Sequence, residues 1–193
     1  MTGLSGHFLL KENAMDIFTK KHIIAAVRSR YEFEKAVVSE AENIFLLSAN
    51  IIELLWYINT AKAHNKRLFL HMDMTDGLGK DASAVEYVSK LGVFGVISTR
   101  GNIIKTARSL GLCTVQRFFI VDGQSVKTAL DTVHQTKPSY AELMPGLVYK
   151  AIREFSAEST PIIAGGLVNS AEEVNAAFEA GAVAVSTSES GLW

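Results

Sequence analysis

The chain has 193 residues, 48% of them hydrophobic and 20% charged, which predicts one compact domain with a large core and excludes a disordered protein. Nineteen Lys and Arg against twenty Asp and Glu give a net charge of −1, so no overall positive field would hold the chain to a nucleic acid or an anionic membrane. A lone cysteine, Cys113, excludes a disulfide framework and a four-cysteine zinc site. The single cysteine also fits a reducing cytosol, and because no apolar run reaches the ~18 residues of a membrane helix, we expect a soluble protein without membrane contact.

Residues 1–16 are expected to be an N-terminal extension that does not belong to the fold. The segment has a short apolar patch, but it lacks the charged start and the long apolar run of a signal peptide. Met15 is a candidate second start site. We therefore expect a single domain over residues 17–193.

Eight short apolar runs alternate with stretches of helical periodicity along the rest of the chain. The predicted strands are HIIAAV from His22, NIFLLSA from Asn43, RLFLHMDM from Arg67, GVIST from Gly95, CTVQRFFIV from Cys113, YAELMPG from Tyr140, PIIAGGLV from Pro161 and AVAVSTS from Ala182. The predicted helices between them are SRYEFEKAVVSEAE, IIELLWYINTAKAHN, DASAVEYVSKLG, IIKTARSLG, SVKTALDTVHQT, LVYKAIREFSAES and SAEEVNAAFEAG. Three of these helices end in glycine, and Ser170 with Glu173 forms a capping box before the last one.

Eight strand–helix units predict an α/β protein with a closed (β/α)8 barrel, a TIM barrel. Uniformly apolar strands such as IFLL and PIIA are typical of a parallel sheet covered on both faces. An open doubly wound sheet would carry a glycine-rich G-x-G-x-x-G loop after its first strand, and HIIAAVRS has no glycine. Because such barrels usually need about 250 residues, this one is expected to be minimal, with an abbreviated last helix, SESGLW.

The loops after the seventh and eighth strands have the composition of a phosphate site, and in TIM barrels these two loops often hold a phosphate. The candidate residues are Gly165, Gly166, Leu167, Ser186, Thr187 and Ser188. The two glycines let backbone N–H groups approach an anion, and a short helix predicted at Ser188–Gly191 would add its free N–H groups. The alternative is a tight turn followed by a serine helix cap.

Charged residues at other strand ends are candidates for contacting the rest of the ligand. They are Arg28, Asp73, Arg117 and Glu142. Asp73 is expected to accept from a ligand hydroxyl and, if strand alternation continues, to share a face with His71. Arg117 and Glu142 lie inside apolar strands, where an unpaired charge is costly. They either pair with each other, which is a structural role, or line the pocket and face a polyol phosphate.

Several neighbouring residues are expected to be structural. His71 is predicted to be a core histidine, Asp81 to cap the next helix and Lys80 to be solvated. Cys113 opens a strand at its amino-terminal end and is predicted to be a core residue.

Catalytic motifs do not stand out. There is no G-x-S-x-G elbow, no P-loop, no metal-ligand spacing and no strand-end lysine. We therefore expect no catalytic residue, no metal and no cofactor. The alternative is a barrel enzyme acting on a small phosphorylated polyol or sugar, with Asp73 or Glu142 as its base.

Five segments carry a resemblance to a known family: LFLHMDMTDGLGKD, GVISTRGNIIKTARSLGL, TVQRFFIVD, ELMPG, and PIIAGGLV followed by AVSTS. From about Ile17 to Trp193 the sequence resembles the glycerol-3-phosphate-responsive antiterminators, which regulate bacterial glycerol uptake operons. The resemblance implies a cytoplasmic transcription regulator with glycerol 3-phosphate as its effector. It also implies binding to the mRNA leader of glycerol utilisation genes, which lets polymerase pass a terminator.

The sequence does not locate an RNA-binding surface. The basic residues are dispersed, and most are predicted to lie on ordinary solvated helix faces: Lys20, Lys21, Arg28, Arg30, Lys62, Lys66, Arg67, Lys105, Arg108 and Lys127. RNA affinity from so few phosphate contacts would be modest and salt-sensitive. A homodimer would double the available surface.

Overall fold

The computed structural model describes residues 22–158 and 160–193, in which eight parallel strands close into a barrel with helices around it. This confirms the predicted TIM barrel. The barrel strands are β1 (His22–Val27), β2 (Asn43–Leu46), β4 (Arg67–His71), β6 (Gly95–Ser98), β7 (Cys113–Phe119), β8 (Tyr140–Met144), β9 (Ile162–Gly165) and β10 (Ala184–Thr187). Two short strands, β3 (Ala49–Asn50) and β5 (Thr75–Asp76), form a separate parallel pair. The predicted extension, residues 1–16, lies outside the described residues.

The described residues form seven α-helices, each between two consecutive barrel strands. They are α1 (Arg30–Val38), α2 (Leu54–Ala63), α3 (Ala82–Leu91), α4 (Gly101–Ser109), α5 (Gly123–Thr136), α6 (Tyr149–Ser156) and α7 (Ala171–Glu179). After β10 the chain makes only a 3-10 turn (Ser190–Leu192), which confirms the abbreviated last helix. None of the described helices combines the length and the apolar character needed to cross a bilayer.

The predicted helix boundaries have the expected local causes. Ser170 and Glu173 cap α7 reciprocally, and the Asp81 side chain accepts from the backbone N–H of Ala84 to cap α3. Gly92 and Gly111 adopt left-handed backbone conformations, with φ of +83° and +78°, where a side chain would be strained. At these two positions the chain leaves the helix and turns toward the next strand.

One cluster of buried side chains receives a residue from every barrel strand and therefore fills the barrel interior. It includes Ile24, Phe45, Phe69, Ile97, Val115, Tyr140, Ile163 and Ala184. Because side chains alternate along a strand, residues two positions further along face inward too, one layer nearer the carboxyl end. In four strands these next residues are His71, Arg117, Glu142 and Ser186, so a polar layer caps the apolar interior.

Two expectations around β4 are wrong. The strand ends at His71, and Met72–Met74 form a 3-10 turn, so His71 and Asp73 do not share a strand face. Lys80 is not a solvated side chain, because its Nζ donates to the backbone carbonyls of Met72 and Thr75 and holds this turn in place. The backbone carbonyls of a 3-10 turn need outside donors, and Lys80 supplies one.

Candidate ligand-binding site

A buried ion pair forms the floor of the candidate site. Arg117 Nε on β7 lies 2.7 Å from Glu142 Oε2 on β8, and these side chains are 7% and 0% exposed. Ser186 on β10 donates from Oγ to Glu142 Oε1 at 2.7 Å. Both carboxylate oxygens thus accept a hydrogen bond, which is the arrangement a buried charge requires. Arg117 and Glu142 pair with each other and also line the cavity above them, so the two interpretations left open by the sequence are compatible.

Gly165 and Gly166 at the end of β9 are glycines for different reasons. A Cβ at Gly165 would lie 2.7 Å from Ser186 Oγ and would collide with Glu142 Oε1, so the missing side chain makes room for the buried network. Gly166 instead has a φ of +74°, and the next residue, Leu167, is also left-handed at +62°. A left-handed conformation costs a non-glycine residue roughly 1–2 kcal/mol, and such strain is often stored at binding sites.

A cavity of about 190 Å³ opens above the Arg117–Glu142 pair, at the carboxyl end of the barrel. Its lining includes every predicted site residue except Gly165, which lies beneath it, and Asp73. It also includes residues that the sequence analysis did not select: Ala26, Leu47, Met144, Val168 and Asn169. Pockets that hold drug-sized ligands measure about 300–1,000 Å³, so this cavity suits a smaller molecule.

Hydrogen-bond donors around the cavity are left without a partner. Within the described parts of the chain, the backbone N–H groups of Leu167 and Ser188 donate to no other group, whereas the Gly166 N–H lies in the hydrogen-bond ladder between β9 and β10. The exposed guanidinium of Arg28 likewise has no carboxylate within 4 Å among these residues. Two backbone amides and a cation at one mouth favour an anion such as a phosphate.

The predicted helix at Ser188–Gly191 is wrong in position, because the 3-10 turn begins only at Ser190. Thr187 Oγ1 accepts from the Glu189 backbone N–H at 3.0 Å and keeps the chain extended through Ser188. The Glu189 carboxylate then accepts from Gly191 N–H at 3.2 Å. A carboxylate therefore already caps this turn, and the turn does not offer its N–H groups to a ligand.

Asp73 lies apart from the cavity and organises the loop after β6. Its carboxylate accepts from Ser98 Oγ at 2.9 Å, from Thr99 N–H at 2.7 Å and from Thr99 Oγ1 at 2.9 Å. Arg100 Nε lies 3.5 Å away. Burial alone raises the pKa of the Asp73 carboxyl, but the hydrogen bonds from Thr99 and Ser98 outweigh it and hold the pKa below its ordinary value. Its contact with a ligand hydroxyl stays a prediction.

His71 is buried, as the sequence predicts, and its Nε2 lies 3.8 Å from Asp73 Oδ2, which is beyond hydrogen-bond distance. Nδ1 lies 3.3 Å from the Leu47 carbonyl, whereas Nε2 makes no hydrogen bond to any described residue. Burial, followed by the positive charge of Arg117, lowers the pKa of His71. The imidazole is therefore held neutral beside the Arg117–Glu142 pair.

Other features of the described residues do not form a competing site. No group of three or more His, Cys, Asp or Glu within residues 22–158 and 160–193 is placed to hold a metal ion. Burial raises the pKa of the Cys113 thiol to about 12, so it is a poor nucleophile, in agreement with the predicted core position. A more open hollow of about 400 Å³ lies beside α5, and Asp122 is the single charged residue in its lining, which disfavours an anion there.

Comparison with known proteins assigns the family. A family model described as glycerol-3-phosphate responsive antiterminator matches residues 23–193. The chain belongs to this family. The antiterminator match spans all eight barrel strands except the first residue of β1, so the matched region and the described barrel coincide.

Solved antiterminator-related structures share the fold and part of the sequence. The glycerol uptake operon antiterminator regulatory protein from Listeria monocytogenes is 30% identical, with a TM-score of 0.85 over 89% of this chain and 94% of the other. A glycerol uptake operon antiterminator-related protein from Thermotoga maritima is 29% identical, with a TM-score of 0.82 over 90% of this chain and 98% of the other. An uncharacterized protein of Escherichia coli, YgcP, is 30% identical over 93% of this chain and 95% of its own length.

Proposed function

We propose that this member of the antiterminator family is a non-enzymatic regulator whose effector, glycerol 3-phosphate, binds in the 190 Å³ cavity. In its bound state the protein would bind the mRNA leader of glycerol utilisation genes in the cytoplasm and let polymerase pass a terminator. The observation that carries the proposal is the pairing of unpartnered backbone donors at the cavity mouth with a buried ion pair on its floor.

The two ends of a polyol phosphate match the two parts of the cavity. The unpartnered N–H groups of Leu167 and Ser188, together with the Arg28 guanidinium, would bind the phosphate. The glycerol hydroxyls would then face the floor, where each oxygen of the Glu142 carboxylate keeps a second lone pair for a further hydrogen bond. The small volume favours a three-carbon ligand over a sugar phosphate.

The chemistry of the lining supports binding rather than turnover. Among the residues that line the cavity there is no Lys, Cys or His side chain, and both oxygens of its carboxylate already accept hydrogen bonds. A general base must take up a proton, and a proton on Glu142 would leave the buried Arg117 guanidinium without its counter-charge.

Gating requires that the effector bind the RNA-competent conformation more tightly than the other conformation. The left-handed Gly166–Leu167 turn is the element that the phosphate would contact directly. A phosphate bound there would stabilise this strained turn and so shift the population of conformers.

The decisive experiment measures the affinity of the purified protein for its leader RNA with and without glycerol 3-phosphate. We expect the effector to tighten RNA binding by at least fivefold, the lower end of typical allosteric coupling. An RNA affinity that does not respond to the effector, combined with turnover of a triose or polyol phosphate, would favour the barrel enzyme instead.

A matched pair of variants tests the location of the phosphate. Gly166→Asp and Gly166→Asn place side chains of the same shape on the same left-handed backbone, so both carry the same strain and differ only in charge. We expect the aspartate variant to bind glycerol 3-phosphate at least tenfold more weakly than the asparagine variant in calorimetry. Equal affinities would place the phosphate elsewhere.

A further inference from the structure

Basic side chains collect at the amino-terminal end of the barrel, opposite the cavity. Four neighbouring connections lie there, α2–β4, α3–β6, α4–β7 and α5–β8. Counted with the last turn of each helix and the first residue of each following strand, they contain no Asp or Glu. Their Lys and Arg residues, called the basic arc from here on, are Lys62, Lys66, Arg67, Lys90, Arg108 and Lys137.

The remaining connections at this end have the opposite charge. Counted in the same way, Glu40 and Glu42 outnumber Lys35 between α1 and β2, Glu154 and Glu158 outnumber Arg153 between α6 and β9, and Glu179 ends α7 without a basic neighbour. One side of this end is therefore positive and the other negative. This separation of charge is not evident from the net charge of −1. It is not evident from the sequence either, because the basic residues are dispersed along the chain.

Contacts between neighbouring connections make the basic arc continuous. The Lys62 ammonium reaches the end of α3, since a Cβ at Gly92 would lie only 2.6 Å from Lys62 Nζ. Arg108 at the end of α4 donates to the carbonyl oxygens of Thr136 and Lys137 at the end of α5, each at 3.2 Å. Helices α3 and α4 pack against each other and join the two halves.

Three cations of the basic arc are available to a partner. Lys62, Lys90 and Lys137 are exposed, and none has a carboxylate within 4 Å in the described parts of the chain. Arg67 differs, because it lies 3.6 Å from Glu42. Basic residues at helix ends also complement the helix dipole, and α1 and α6 outside the arc carry them too, as Lys35 and Arg153. The arc differs from those ends because its connections contain no carboxylate.

We infer that the basic arc is the surface that binds the phosphate backbone of RNA. The inference rests on the proposed function, which supplies an RNA partner, and on the charge complementarity between a polyanion and this uninterrupted positive side. The aromatic residues of the four connections, Phe94 and Tyr140, pack in the core, so contacts there would be to phosphates rather than to stacked bases. Effector and RNA would then bind at opposite ends of the barrel.

The test removes the three available cations together, as Lys62→Gln, Lys90→Gln and Lys137→Gln in one variant. RNA affinity falls as the salt concentration rises, and for single-stranded RNA each phosphate contact contributes about 0.7 to the steepness of log affinity against log salt. Losing three contacts makes this dependence less steep by about 2. At 0.1 M salt, that change corresponds to roughly 100-fold weaker binding of the leader RNA. The matched control removes three exposed lysines from helix positions away from this end: Lys105→Gln, Lys127→Gln and Lys150→Gln.

The outcomes separate this inference from the proposed function. Weak RNA binding by the first variant, with normal RNA binding by the control and unchanged affinity for glycerol 3-phosphate, supports the basic arc. Equal RNA binding by both variants overturns the arc and leaves the proposed function standing. Failure of the unaltered protein to bind leader RNA, with effector present, overturns both.

A second measurement does not depend on the folding of a variant. In the unaltered protein, bound leader RNA is expected to protect Lys62, Lys90 and Lys137 from acetylation, while Lys105 and Lys127 stay reactive. Full reactivity of the first three in the complex overturns the inference.

Discussion

The buried ion pair offers the sharpest test of how this barrel is built, through the substitution Glu142→Gln. This change leaves the shape of the side chain intact but removes the negative charge that compensates Arg117. At the observed 2.7 Å separation, and with an effective dielectric constant of about 20, the charge–charge attraction is about 6 kcal/mol. Because the glutamine still accepts a hydrogen bond, we expect a net loss in the free energy of unfolding of about 3–5 kcal/mol, the usual result of breaking a buried pair.

The matched control is Glu34→Gln, which makes the same chemical change in an exposed ion pair. Glu34 Oε1 lies 3.0 Å from Arg30 Nε, but these side chains are about half exposed. An exposed pair contributes about 0–1 kcal/mol, so this variant should unfold close to the unaltered protein. The assay is urea denaturation of both variants without ligand at pH 7.

A double variant separates lost attraction from an isolated charge. Replacing Arg117 by methionine in the Glu142→Gln background removes the cation that would otherwise be buried alone, and we expect much of the lost stability to return. The reasoning is refuted if Glu142→Gln and Glu34→Gln cost the same, or if the double variant is less stable than Glu142→Gln.

Three further predictions follow from the same layer of the barrel and its surroundings. Gly165→Ala should destabilise the protein by about 1–3 kcal/mol and weaken effector binding, because its methyl group displaces Glu142 and Ser186; unchanged urea midpoints would contradict this. Because the pKa of His71 is lowered in the folded protein, the unfolded chain binds more protons than the folded chain, and stability should fall as the pH drops below about 6.5. The variant His71→Asn should therefore show a flatter dependence of the melting temperature on pH between 7 and 5. The Cys113 thiol, with its pKa raised to about 12, should resist a thiol reagent at pH 8 until denaturant unfolds the chain, and rapid labelling of the native protein would show that the strand opens.

The strand and helix pattern was determined by the sequence alone, because its causes are local. Apolar runs such as PIIA, the capping box at Ser170 and the glycine after α3 each act within a few residues. Every barrel strand and every helix overlaps the segment predicted for it, although β4 ends earlier than predicted and the short pair β3 and β5 was not predicted. The loops around Gly166 and Ser188 could also be selected, since strand ends in a TIM barrel converge on one face. The wrong turn position after β10 also had a local cause, the hydrogen bond from Glu189 N–H to Thr187 Oγ1, but residue types alone do not reveal it.

The tertiary structure alone decided which distant side chains meet. Arg117 and Glu142 are 25 residues apart, and Glu142 and Ser186 are 44 apart, so only the register between neighbouring strands brings them into one network. The basic arc is likewise invisible along the chain, because its six residues come from four separate connections that the closed barrel places side by side. Local periodicity specifies the elements, whereas closure of the sheet specifies their neighbours, and both candidate surfaces of this protein depend on neighbours.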